Sequence, residues 1–276
     1  MRAAILQMTS GTDPARNAAV IAKAVARAGE EGGDMLFTPE MAGQLDRDRS
    51  RAAVSLTNEA GSRVLAEVRN AAAKAGVWVH LGSLALKGER EDGRWSNRSF
   101  VIDDCGEVRA RYDKIHLFDV DLATGETWRE SSVYGSGERV VAVDTPWARL
   151  GLSICYDIRF PDLYRALSDA GANILLVPSA FTVPTGRAHW HVLLRARAIE
   201  AGCFLIAPAQ TGRHEDGRET FGHSCAIDPW GDILLDMGTE TGLALADIEM
   251  ERVAEVRSRI PAIANRRAIA SEVDIA

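Results

Sequence analysis

Leu150-Gly151-Leu152-Ser153-Ile154-Cys155-Tyr156-Asp157 is a mainly apolar run that stops at a cysteine and a polar turn. A run this short reads as a buried strand, and residues 162–170 beyond it are helical in spacing. A second apolar run comes at 174–177. Strand, helix and strand in succession build layered α/β domains. In such sheets the carboxyl end of a strand opens toward ligand crevices, so Cys155 stands where chemistry can be done.

The same alternation extends in both directions. Toward the amino terminus, 3–8 reads as a strand, and Asp13-Pro14 as an N-cap with proline opening a helix. Ala18, Ile21, Ala22, Val25 and Ala28 keep helical spacing up to Gly29. A second strand over 35–38 ends at Pro39-Glu40, then a helix is expected over 59–75 and a strand over 77–84. Hairpins are expected at 99–103 with 107–112 around Asp104-Cys105-Gly106, and at 140–143 with 149–154 around Thr145-Pro146-Trp147. Toward the carboxyl terminus come a helix over 188–201, strands at 204–207, 226–228, 233–236 and 243–248, and a last helix over 249–259. The pattern contains no repeat or linker, so one domain over 1–276 is expected.

Bulk composition narrows the function classes. With 276 residues, 46% of them hydrophobic, the chain can bury a sizeable core. A formal charge of -7, with both signs mixed along the chain, argues against nucleic acid as a partner. Cys105, Cys155, Cys203 and Cys225 form no CxxC pair, so neither a disulfide scaffold nor a zinc ribbon is expected. Free thiols point to a reducing, cytoplasmic setting. The opening apolar run is broken by Gln7, Thr9, Ser10 and Asp13, and no stretch reaches membrane length without a charge, so no membrane partner is expected.

Three side chains at strand ends carry chemical potential. A cysteine at the Cys155 position acts as a nucleophile when a base or cation supports its thiolate. Glu40, at the end of its own apolar run, is a candidate general base. Lys114, after Ala110-Arg111-Tyr112-Asp113, is a candidate stabiliser of developing negative charge. Taken singly, each also fits a packed cysteine, a turn carboxylate or a surface lysine.

Taken together they carry a resemblance. Pro39-Glu40, then Tyr112-Asp113-Lys114-Ile115-His116-Leu117-Phe118-Asp119, then Ile154-Cys155-Tyr156-Asp157-Ile158-Arg159-Phe160-Pro161 resemble, in that order, the signature of the nitrilase superfamily of carbon-nitrogen hydrolases. Ala188-His189-Trp190, residues 194–200, Gly222-His223-Ser224 and Asp228-Pro229-Trp230-Gly231 resemble its Nit branch. Residues 209–214 are most similar to the deaminated glutathione amidases of that branch, with ω-amidases, or a non-catalytic metabolite-binding member, as the alternatives. The resemblance implies a four-layer α-β-β-α sandwich and a homodimer or higher homo-oligomer joined through a helical face, with residues 261–276 crossing to the partner. It implies Glu40 as base, Lys114 as cation, Cys155 as nucleophile, the Tyr156 backbone N–H as a second oxyanion donor and Glu130 as a positioning carboxylate. The reaction implied is hydrolysis of a small anionic amide through a cysteine thioester, with ammonia leaving and no cofactor. His191 stands where many members carry glutamate.

Arg159, Arg187, His189, Arg213 and His214 are the candidates for binding a substrate carboxylate, since a guanidinium suits a 2-oxo acid. No metal is expected: His189 and His191 are two apart on a helix and point in different directions.

Overall fold

Alternate residues of the first strand go to opposite sides. Ala3 and Ile5 join one apolar cluster and Ala4 and Leu6 the other, the period of two expected of a sheet covered on both faces. The computed structural model describes residues 1–88, 90–121, 125 and 127–269. Its first half runs β1 (Arg2–Gln7), α1 (Pro14–Glu30), β2 (Met35–Phe37), α2 (Arg49–Ser55), α3 (Arg63–Ala75), β3 (Trp78–Leu86), β4 (Ser96–Ile102) and β5 (Val108–Asp113). Two short strands, β6 (Asp119–Asp121) and β7 (Thr127–Arg129), lead to β8 (Ala142–Asp144), β9 (Arg149–Leu152), α4 (Pro161–Asp169) and β10 (Ile174–Leu176). The rest is α5 (Val183–Ala201), β11 (Phe204–Ala207), β12 (Thr211–Arg213), β13 (Glu219–Phe221), β14 (Cys225–Ile227), β15 (Ile233–Asp236), β16 (Gly242–Asp247) and α6 (Glu251–Arg259).

Two six-stranded sheets form, in the orders β16-β1-β2-β3-β4-β5 and β15-β14-β11-β10-β9-β8. Each has three parallel strands at its centre, β1-β2-β3 and β9-β10-β11, flanked by antiparallel ones. One core lies between α1, α3 and the outer face of the first sheet, with Ile21, Val25, Val68, Leu36 and Phe100 in it. The other joins the inner faces of both sheets to α4 and α5, through Phe37, Tyr112, Leu152, Leu176, Leu167 and Trp190. The order of layers is therefore helix, sheet, sheet, helix.

Local signals explain the element ends. Asp13 accepts from the backbone N–H of Ala15 at 2.9 Å and caps α1. Ser62 caps α3 through the Leu65 N–H, so that helix starts at Arg63 rather than at 59. Helix α5 begins at Val183 rather than at 188, because Pro184 sits in its first turn, where no donor is lost. Among the described residues no helix is long and apolar enough to cross a membrane. Part of the segment 261–276 expected to reach a partner, namely 270–276, lies outside the described residues.

Candidate active site

Four strand ends converge. Chain leaving β2 carries Glu40, chain leaving β5 carries Lys114, chain leaving β9 carries Cys155, and chain leaving β10 carries Ala180. All four residues line one cavity of about 420 Å³. Glu40, Lys114 and Cys155 are each buried.

The turn at Glu40 is built on a close approach. A Cβ on Gly82 in β3 would lie 2.0 Å from the Thr38 carbonyl oxygen and 2.5 Å from that of Pro39, so only glycine lets the Thr38-Pro39-Glu40 segment pass there. The Ser83 hydroxyl then accepts from the Met41 N–H at 2.9 Å, and Gln210 Nε2 donates to the Glu40 carbonyl at 2.9 Å. Met41 takes a φ of 54°, a left-handed turn that aims Glu40 inward.

Around Lys114 the charges interlock. Its Nζ lies 2.9 Å from Glu40 Oε1 and 2.9 Å from Glu130 Oε2. Asn97 Nδ2 donates to the same two carboxylates, at 3.0 Å to Glu40 and 3.2 Å to Glu130. The Phe118 N–H donates to Glu130 at 2.6 Å, and the Ala180 N–H to Glu40 Oε2 at 3.0 Å. Burial disfavours the Lys114 ammonium, but the charges of Glu130 and Glu40 outweigh it and hold the pKa well above the usual lysine value. Lys114 is a fixed cation.

Cys155 adopts a φ of 50°, a strained conformation for a residue with a side chain, at the first position of a 3₁₀ turn over Cys155–Arg159. Its N–H donates to the Pro178 carbonyl at 2.9 Å. Asp157 secures this turn from beneath: it accepts from the Ile154 N–H at 2.9 Å, the Tyr112 hydroxyl at 2.7 Å and the His116 N–H at 2.9 Å. The His116 ring contacts Asp157 at 2.7 Å and stacks on Phe160. The motif around Lys114 and the motif around Cys155 are thus one hydrogen-bonded unit. Burial, and then the charge of Glu40, push the Cys155 thiol well above its ordinary pKa, against the opposing pull of Lys114. The resting side chain is a thiol beside a carboxylate.

The other candidates fall elsewhere. Arg159 does not line the cavity; it lies over the rings of Tyr156 and Phe181, which do, and meets His189 Nδ1 at 3.3 Å. Arg187 and Arg213 are exposed, and neither lines the cavity. His214 is buried between the Ser10 carbonyl at 2.9 Å and the Thr220 hydroxyl at 2.8 Å, tying two loops together. His191 meets Asp236 at 2.9 Å, as does His223, so it links α5 to β15 away from the cavity. Cavity cations not singled out in the sequence are Arg47, Arg49, Arg129 and Arg218. No motif marked them, because they sit in short polar segments (Arg49 opens α2 and Arg129 ends β7) whose folding onto the site depends on distant contacts. Asn97 was also missed: an asparagine inside a strand gives no signal until its partners are in place.

A family model described as carbon-nitrogen hydrolase matches residues 2–258. The deaminated glutathione amidase of Synechocystis sp. is 39% identical over 270 residues, which cover 96% of this chain and 97% of that protein. The crystal structure of the Caenorhabditis elegans NitFhit protein superposes with a TM-score of 0.89 at 37% identity, over 96% of this chain and 65% of that one. An amidase of the nitrilase superfamily from Nesterenkonia sp., solved in a variant with acrylamide added at the active-site cysteine, superposes with a TM-score of 0.78 at 28% identity, over 95% of this chain and 98% of that one. With its sandwich of two sheets and its convergent strand ends, the chain belongs to the carbon-nitrogen hydrolase family of the nitrilase superfamily.

Proposed function

We propose that the protein is a thiol amidase that hydrolyses a small anionic amide, with deaminated glutathione as substrate and Glu40, Lys114 and Cys155 as the catalytic triad. The observation that carries this reading is the position of one buried ammonium, Lys114, between Glu40 and Glu130 in the cavity that Cys155 lines. The substrate class is supported by the name of the relative that is 39% identical over nearly the whole chain.

The proposed steps follow from this placement. Glu40 takes the thiol proton as Cys155 Sγ bonds to the amide carbon. Negative charge gathers on the carbonyl oxygen, where the Lys114 ammonium and the Tyr156 backbone N–H stabilise it. Glu40 passes its proton to the amide nitrogen, the C–N bond breaks, and an acyl thioester remains. Glu40 then takes a proton from water as the water attacks the thioester; the acid leaves and Sγ recovers its proton. Glu130 and Asn97 act as positioning residues for Lys114 and Glu40. Deaminated glutathione has no primary amide, so its leaving group is an amine, whereas a primary amide such as 2-oxoglutaramate releases ammonia. The chemistry is the same for both.

The test is release of 2-oxo acid and of amine from deaminated glutathione, beside ammonia from 2-oxoglutaramate, with wild type and Cys155→Ala. A preference for the first substrate, lost with the thiol, is expected. Preference for 2-oxoglutaramate would move the protein to the ω-amidases and leave the triad standing.

The assembly proposed is a homodimer in the cytoplasm. Val192 and Ile199 are exposed apolar residues of α5, and Ile199 shares a surface pocket with the exposed Trp230 and Ile260, while the four cysteines are free thiols. Sedimentation of the purified chain as a monomer at micromolar concentration would refute the dimer.

A further inference from the structure

Arg47 and Arg218 reach the cavity from separate loops that one carboxylate ties together. Asp216 accepts from the Arg47 backbone N–H at 2.8 Å, from the Arg218 backbone N–H at 3.1 Å and from Arg218 Nε at 2.8 Å. Both guanidinium groups lie over the ring of Trp128, at 5.4 Å and 5.2 Å from its centroid. All three residues line the cavity that holds Cys155.

The charges there are not balanced. Asp216 offsets Arg218, but the Arg47 guanidinium has no carboxylate partner among the described residues. Of the acids in the lining, Asp46 is held by Arg51 at 2.7 Å, and Glu219 is exposed. Trp128 Nε1 is a buried donor with no acceptor among the described residues. A buried N–H left without an acceptor is uncommon, and this one belongs to a residue of the cavity lining. Two guanidinium groups stacked on an indole offer planar, directed donors that suit a carboxylate.

We propose that Arg47, Trp128 and Arg218 form the receptor for a substrate carboxylate remote from the scissile amide, and that this contact selects anionic over neutral amides. The inference rests on the amidase reading and adds to it the residues that set specificity. Occupation of the receptor places the amide carbon against Cys155, so its loss acts on KM more than on kcat.

The experiment compares kcat/KM for 2-oxoglutaramate and for pentanamide, an uncharged amide of equal carbon count, in wild type, Arg47→Met, Arg218→Met and Trp128→Phe. Wild type should favour the anionic amide. Each arginine variant should lower that preference by about tenfold to a hundredfold, chiefly through KM, with pentanamide turnover within about twofold of wild type. Trp128→Phe keeps the ring and removes the donor, so a smaller loss of the same kind is expected. Equal preference in wild type and both arginine variants would overturn the receptor while leaving the amidase intact. Loss of both substrates in an arginine variant that melts normally would also overturn it, since the residue would then act on the chemistry. No turnover of either amide, or of deaminated glutathione, by wild type would instead remove the amidase reading itself.

Discussion

Lys114 is bonded to two carboxylates at once, so replacing it separates charge from shape. Lys114→Met keeps most of the side-chain volume and removes the cation proposed to face the developing oxyanion. The expected result is a fall in kcat of about 10²–10³ with a smaller change in KM, the size seen when one oxyanion donor is lost. Steady-state kinetics on 2-oxoglutaramate checks it, and an unchanged kcat would rule Lys114 out as an oxyanion donor. Asn97 acts through others: Asn97→Ala removes the bridge between Glu40 and Glu130. About a tenfold loss in kcat with little change in KM is expected, because the bridge holds both carboxylates in place around Lys114. An unchanged kcat would reduce Asn97 to a packing role.

At the scale of elements, the turn after β9 depends on Asp157, a fully buried carboxylate with donors from Ile154, Tyr112 and His116. Asp157→Asn replaces an acceptor by an amide donor against those groups. It should cost about 2–4 kcal/mol in stability and lower kcat together, read by urea unfolding and kinetics on one preparation. A stable, fully active variant would show that the turn holds itself. Gly82→Ala should displace the Glu40 turn, depress kcat and clearly lower the melting temperature, because its Cβ would lie 2.0 Å and 2.5 Å from two backbone oxygens; an active variant that melts like wild type would show that the turn does not need glycine there. The central strands and the capped helices were legible in the sequence because they follow local rules: the period of two in β1, the Asp13 cap, the glycine and proline boundaries. Helix α2 and the hairpins β6-β7 and β12-β13 were not expected. They are short and polar, with no periodicity of their own, and distant pairings fix them, such as that between Arg47 and Asp216. They line the cavity, so Glu40, Lys114 and Cys155 were readable at strand ends and Arg47, Trp128 and Arg218 were not.

For the whole molecule, a buried neutral histidine sets an acid limit. Burial lowers the pKa of His80 in β3 to about 3, from an ordinary 6.5. The unfolded chain takes up this proton below about pH 6.5 while the folded chain does not, so stability declines as pH falls from there toward 3. The contribution is at most about 1.4 kcal/mol per pH unit. His214, also lowered by burial, acts in the same direction. Urea midpoints measured between pH 7 and 4 should fall less steeply for His80→Gln than for wild type; parallel curves would show that His80 plays no part in the acid limit. The layered fold serves one end, which is to bring a thiol, a carboxylate and an ammonium from separate strand ends into one cavity. That convergence is best probed by rapid acid quench of wild type during turnover of deaminated glutathione, with intact-mass and peptide-mass analysis of the quenched protein. An acyl adduct of the substrate's 2-oxo acid part is expected, held as a thioester on Cys155 and absent from Cys155→Ala, which should release no product. Product formation at the wild-type rate by Cys155→Ala, or an adduct on another cysteine, would show that Cys155 is not the nucleophile.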